Sequence, residues 1–114
     1  MKLSLVPSGD GLFKVACSGE LTMLDVKDAD PLEALLGADG FGRMVLIDLE
    51  RTTFLDTAAV GWLIGLHKKF RQAGGRLILH SVPPLIDQMF RLLKLPAVLR
   101  VAGDEAAARA LAER

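Results

Sequence analysis

At 114 residues, 51% of them hydrophobic, the chain is long enough for one domain, residues 1–114, and too apolar to remain disordered. Its 14 basic and 14 acidic residues cancel, so no overall field draws it to nucleic acid or to an anionic membrane. Cys17 is the single cysteine, which excludes an internal disulfide and a cysteine-based zinc cage. No stretch has the length of a membrane helix and the N-terminus lacks a signal-peptide pattern, so the expected location is the cytoplasm.

Leu3-Ser4-Leu5-Val6 and the run from Leu12 to Ser18 read as two strands. Between them Pro7-Ser8-Gly9-Asp10-Gly11 is dense in turn formers, so the pair is expected to form a hairpin that Gly19 ends. Cys17, in the second apolar run, is expected to be a small buried residue. Glu20, the first charge after that strand, is either a solvated residue or a neighbour of Asp56 at one end of the sheet, and the solvated reading is preferred. Thr22 to Ala29 could be a loop or a helical turn. Asp30-Pro31-Leu32-Glu33 carries a helix start, with aspartate as N-cap, proline at the first helical position and glutamate two further on. That helix stops at Gly37, and Ala38 to Gly42 reads as a loop.

Met44 to Leu49 is an almost unbroken apolar run, suited to a central strand covered on both faces. Asp48 near its end lies where α/β folds place their sites, and Asp48 and Asp56 could approach each other. Two aspartates beside a hydroxyl could hold a divalent cation, but with no third ligand in view a structural role as turn caps is the better reading and no metal or other cofactor is expected. Thr52 to Leu55 lead to Asp56, which stands before helical periodicity begins and can accept from the unpaired N–H groups of a first turn. Thr57 follows at the first helical position, at the positive end of the helix dipole.

Val60, Leu63, Ile64, His67 and Phe70 have the spacing of one inward stripe on this helix. Thr57, Gly61, Gly65 and Lys68 share another face. Each interior glycine costs roughly 1 kcal/mol against alanine. Either close packing on the sheet or a neighbouring helix offsets that cost, or a partner approaches a smooth surface beside Thr57. Trp62 falls off the inward stripe and is expected partly buried under a flanking helix, although a tryptophan there could also anchor an interface. Lys68, Lys69 and Arg71 suit the helix C-terminus through its dipole, without need of an acidic partner. Gly74-Gly75 ends the helix, the first glycine as a left-handed cap.

Arg76 to His80 returns as a strand parallel to the central one. Pro84 opens the next helix, in which Leu85, Ile86, Met89, Leu92 and Leu93 keep helical spacing to about Leu95, with Phe90 and Leu95 widening the apolar face enough to leave an exposed patch. Pro96 ends it, Ala97 to Val101 gives a short edge strand, and Asp104 caps a last alanine-rich helix from Glu105 to about Ala112 that must dock on the sheet. The fold class is α/β: a small mixed sheet of four to five strands with helices mainly on one face.

Leu55-Asp56-Thr57, then Gly61 and Gly65, then Gln72-Ala73-Gly74-Gly75 resemble the STAS domain of bacterial anti-sigma factor antagonists. Ser18-Gly19-Glu20-Leu21, Val45-Leu46-Ile47-Asp48-Leu49 and Pro83-Pro84-Leu85 resemble further segments of that family in the same order. The resemblance implies a strand ending in aspartate, a phosphorylatable serine or threonine, then a helix, which makes Thr57 the phosphoacceptor and Asp56, Ala58, Gly61 and Gly65 its surroundings. Many antagonists have a second hydroxyl residue and glycine after the phosphoacceptor, where this chain has Ala58 and Ala59, and threonine in place of serine looks more like the stressosome branch.

An enzyme is not expected, since the chain has no P-loop, dinucleotide fingerprint, HExxH or cysteine–histidine pair. A receiver-type phosphoaspartate at Asp48 lacks its accompanying acidic pair. By resemblance, the unmodified domain binds an anti-sigma factor that is a serine-protein kinase, and so frees a sigma factor. Phosphate on Thr57 breaks that contact, and a phosphatase could reset it. The alternative is a constitutive, stressosome-like scaffold domain in which Thr57 only starts a helix. A small apolar ligand between the helices is a third possibility that no residue singles out. The oligomeric state is left open.

Overall fold

In the computed structural model, which describes residues 1–6 and 11–113, the two N-terminal apolar runs pair as expected. β1 (Lys2–Val6) lies antiparallel to β2 (Phe13–Leu21), with Leu3 opposite Cys17 and Leu5 opposite Val15. The expected turn falls, apart from Gly11, outside the described residues. β2 does not stop at Gly19 but runs on to Leu21. Gly19 adopts φ +85° between two register shifts, a backbone state open to glycine that lets the strand bend and continue. Cys17 is buried, and that burial raises its thiol pKa.

The ambiguous segment after β2 contains one helical turn, α1 (Met23–Val26), closed by a capping box between Thr22 and Asp25. α2 (Pro31–Leu36) starts as its sequence predicts, with the Asp30 carboxylate accepting from the Leu32 and Glu33 amides. The segment expected as a loop is instead a 3₁₀ turn, Ala38–Gly42, which sets Phe41 edge-on to Phe70 with ring centroids 5.2 Å apart.

β3 (Met44–Leu55) is the spine of a five-stranded sheet ordered β1-β2-β3-β4-β5. It runs parallel to β2 and to β4 (Arg76–His80), and β5 (Arg100–Ala102) adds in parallel at the edge. Alternation along β3 sends Val45, Ile47 and Leu49 into the larger core, with α3 (Thr57–Ala73), α4 (Pro84–Leu92), α2 and part of α1. Leu46 points the other way and packs with Leu12, Ile78 and Ala102 under α5 (Glu105–Ala112), whose Ala108 and Ala112 allow close approach. Both faces of the central strand are thus covered, as its unbroken apolar run predicts. Among the described residues no helix is long and apolar enough to cross a membrane.

Further boundaries differ from expectation. β3 continues through Glu50, Arg51 and two threonines to Leu55 because β2, itself longer, supplies ladder partners: Ser18 for Arg51 and Gly19 for Thr52. α4 ends at Leu92, since Lys94 turns left-handed (φ +57°), and Pro96 sits inside a 3₁₀ turn, Leu95–Ala97, so β5 begins only at Arg100. The buried face of α3 is Ala59, Val60, Leu63, Leu66 and Phe70, while Ile64 and His67 lie half-buried at its border. Burial, then the nearby charges of Arg71 and Arg100, lower the His67 pKa.

Candidate functional site

Asp56 closes β3 and opens α3. Its amide donates to the Leu21 carbonyl (3.3 Å), which ties it to the end of β2. Its carboxylate then serves two helices at once. Oδ1 accepts from the Ala59 amide at 2.9 Å, the N-cap bond of α3, and Oδ2 accepts from the Met23 amide at 2.8 Å, at the start of α1. These bonds, Ala59's first and Met23's next, hold the carboxyl below its ordinary pKa, so it remains ionised at neutral pH.

Thr57 is the first residue of α3 and is exposed, and among the described residues nothing hydrogen-bonds its hydroxyl. Ala58 beside it is half-buried. Beyond Asp56 stand Met23 and Leu24, 53% and 73% exposed, on a helical turn whose first amide Asp56 holds. Along α3, Gly61 is exposed and Gly65 half-buried, and a Cβ at either would meet nothing within 4 Å. Close packing within the chain therefore does not require these glycines. Gly75 is the contrast, because a Cβ there would fall on the Phe41 and Arg43 carbonyl oxygens.

The structure separates the other two residues singled out from sequence. Glu20 is exposed opposite Phe54 on the β2–β3 extension. The next residues along, Leu21 and Leu55, are buried in the larger core, so Glu20 lies on the opposite face of the extension from that core, at the same sheet end as Asp56. Asp48 does not approach Asp56. It lies mid-strand opposite Ala16 and His80, on the face that α5 partly covers, and accepts the Glu50 amide at 2.8 Å. Eight residues at about 3.3 Å each leave roughly 25 Å of strand between the two aspartates. Among the described residues no cluster of three or more metal-ligating side chains forms.

Two features escaped the sequence. The Met23 amide is one, an acceptor-seeking group 33 positions from Asp56. The other is Asp30, whose Oδ1 also accepts from Trp62 Nε1 (3.0 Å) while Oδ2 pairs with Lys69 Nζ (3.1 Å). Trp62 is thus half-buried against the start of α2, as expected, but Lys69 has the acidic partner that the dipole argument did not call for. Its ammonium also lies 5.4 Å from the Phe41 ring centroid. Both links join residues more than 30 positions apart, so no local spacing announces them.

Known proteins share this fold. BtrV of Bordetella bronchiseptica, provisionally named an anti-sigma factor antagonist, is 28% identical over 103 residues, 89% of this chain and 86% of BtrV. Among solved structures, a Thermotoga maritima protein with the same provisional name matches with a TM-score of 0.82 at 15% identity, over 99% of this chain and 94% of that one. The phosphorylated form of SpoIIAA from Bacillus matches at 0.66 and 21% identity, over 96% and 99%. At such identities these two structures speak for the fold alone. The model of the STAS domain matches residues 13–108, from the start of β2 into α5 and across the whole Asp56–Thr57 corner, and the chain belongs to the STAS domain family.

Proposed function

We propose that this chain is a single-domain, cytoplasmic anti-sigma factor antagonist whose binding is switched by phosphorylation of Thr57. The observation that carries this reading is the exposed Thr57 hydroxyl at the first position of α3, beside a carboxylate clamped by two helix amides. The docking surface comprises Thr57, Ala58, the open strip at Gly61 and Gly65, and the Met23–Leu24 tip of α1. Glu20 stands at the same sheet end, and Asp48 lies outside the surface. BtrV's provisional name supports an anti-sigma factor as the partner class; on this reading that factor carries a serine-kinase site and a phosphatase would reset the switch.

The electrostatics give the switch its sign. Phosphate on Thr57 adds about −1.5 to −2 charges. The helix dipole favours it, but Asp56 is already ionised one residue away. The nearest cation further along that face of α3, Lys68, is eleven residues on, roughly 16 Å at 1.5 Å per residue. No cation of α3 near Thr57 offsets the added charge, and burying it against a docked protein that brings none weakens the complex.

The test is phosphosite mapping on the protein from its host, with binding of Thr57 variants to the purified anti-sigma factor. Thr57→Ala should bind like the wild type and take no phosphate, and Thr57→Glu should bind about tenfold or more weakly, 1.4 kcal/mol or more. Equal affinity of the two variants, with Thr57 unmodified in growth and stress, would overturn the switch and leave a constitutive scaffold.

A further inference from the structure

α4 turns Ile86 and Phe90 into the core and leaves Leu85, Gln88 and Leu92 facing outward. Leu85 is 80% exposed and Leu92 84%. Steps of three and four residues place these side chains in one stripe along two helical turns. Arg91 flanks the stripe and pairs with Asp87 on the same helix at 2.9 Å. Gln88, Arg91 and Leu92 line a shallow cleft of about 440 Å³ on this surface.

We propose that this stripe is a self-association surface: a second copy of the chain docks α4 on α4, antiparallel, about a two-fold axis passing near Gln88 and Met89. The occupant is chosen by self-complementarity. An axis at that level sets Leu85 of one copy against Leu92 of the other, and the reverse, so each exposed leucine meets an exposed leucine. In an antiparallel pair like flanks face each other, which brings Asp87 within one residue's rise, about 1.5 Å, of the level of Arg91 on the other copy. Each acid can then meet a base twice over. The stripe carries one acid and one base, so it gives no preference for a strongly charged foreign partner. Zero net charge removes long-range repulsion between copies.

The pair is weak. An exposed apolar patch of this kind spans on the order of 300–600 Å², against about 800 Å² per partner in a standard stable interface. The association is therefore concentration-dependent, with Kd on the order of 0.1–1 mM. It uses none of the Thr57 surface and stands whether or not Thr57 is a switch.

Sedimentation velocity from about 10 µM to about 1 mM should show the wild type rising from monomer toward dimer. Leu92→Glu, at an outward position, should stay monomeric with an unchanged circular dichroism spectrum. Asp87→Arg and Arg91→Asp should each weaken the dimer, and their combination should restore it. Under mild oxidation Gln88→Cys should cross-link to its own copy. Leu92→Cys should not, since antiparallel docking separates the two Leu92 positions by about 10 Å along the axis. A wild type that is monomeric throughout, a dimer that survives Leu92→Glu, or cross-linking of Leu92→Cys equal to that of Gln88→Cys overturns the proposal.

Discussion

Replacing Gly61 and Gly65 together by alanine isolates what two interior glycines do in α3. Glycine costs about 0.8–1.0 kcal/mol against alanine at a helix interior, chiefly in backbone entropy. A Cβ meets nothing within 4 Å at either position, and neither glycine has a left-handed φ, so alanine adds no clash or strain. The two gains are expected to add, because each is chiefly the backbone entropy of its own residue in the unfolded chain. The variant should be more stable by about 1.5–2 kcal/mol. At roughly 4 °C per kcal/mol, the low end for a domain of about 100 residues, that raises Tm by about 6–8 °C. Thermal unfolding followed by circular dichroism reads this directly, and urea unfolding with an unchanged m-value checks that the ensemble is the same. Gly75→Ala is the control with opposite sign, expected to lose about 2–3 kcal/mol because its methyl meets fixed backbone oxygens. A lower Tm for the double alanine variant would refute the reasoning, since it would mean the glycines are needed for packing inside the chain. A higher Tm would place the use of glycine outside the folded monomer, and a folded Gly61→Leu variant that no longer binds its partner would then locate that use at the docking surface.

Asp56 should titrate below the ordinary carboxylate value of about 3.9 in a carboxyl-carbon NMR titration. Its folded pKa is depressed, so its stabilising effect is full above the unfolded value and is lost as pH falls through the folded one. Hydrogen exchange at the Met23 and Ala59 amides should accelerate in Asp56→Ala; unchanged protection of both would show that the carboxylate does not hold them. Trp62→Phe should cost about 1–2 kcal/mol for the lost bond to a carboxylate that is 9% exposed. Lys69→Met, which removes a half-exposed ammonium from the same carboxylate, should cost less than about 1 kcal/mol. Equal losses would show that Trp62 contributes only its packing.

What could be read from the sequence was local chemistry. The Asp30-Pro31 start of α2 and the left-handed Gly74 cap depend on groups within four residues of each other, and both stand as expected. The parallel return of β4 follows from a strand–helix–strand order. Long-range pairing was not legible. Glu50 to Thr53 looks too polar for a strand until β2 is known to continue past Gly19, and Gly19 looks like a stop until its positive φ is known to sit in a bulge. The misplacement of Asp48 beside Asp56 followed from that one error. The rotation of α3 failed for another reason. Ala58, Ala59, Trp62, Ile64 and Leu66 give this helix apolar residues over most of its circumference, so periodicity announces a helix but leaves its phase undetermined. The sheet chose Leu66 over His67 for the core, a choice made by β-strand neighbours that no window on α3 contains.

The Asp56 corner shows why a residue chosen for a local reason came to organise a larger surface. An N-cap needs only one carboxylate oxygen, and Ala59 uses it. The second oxygen is free to accept another donor, and the bond from Asp56 to Leu21 brings the chain after β2 close enough to supply the Met23 amide. That bond positions a one-turn helix too short to hold itself, and with it the two exposed apolar side chains, Met23 and Leu24, that it carries. Neutralising Asp56 would weaken both bonds, so the carboxylate stays charged. On the reading proposed above, a phosphate on Thr57 would not replace this charge but add to it, at the point where two helices and two strands present their common surface.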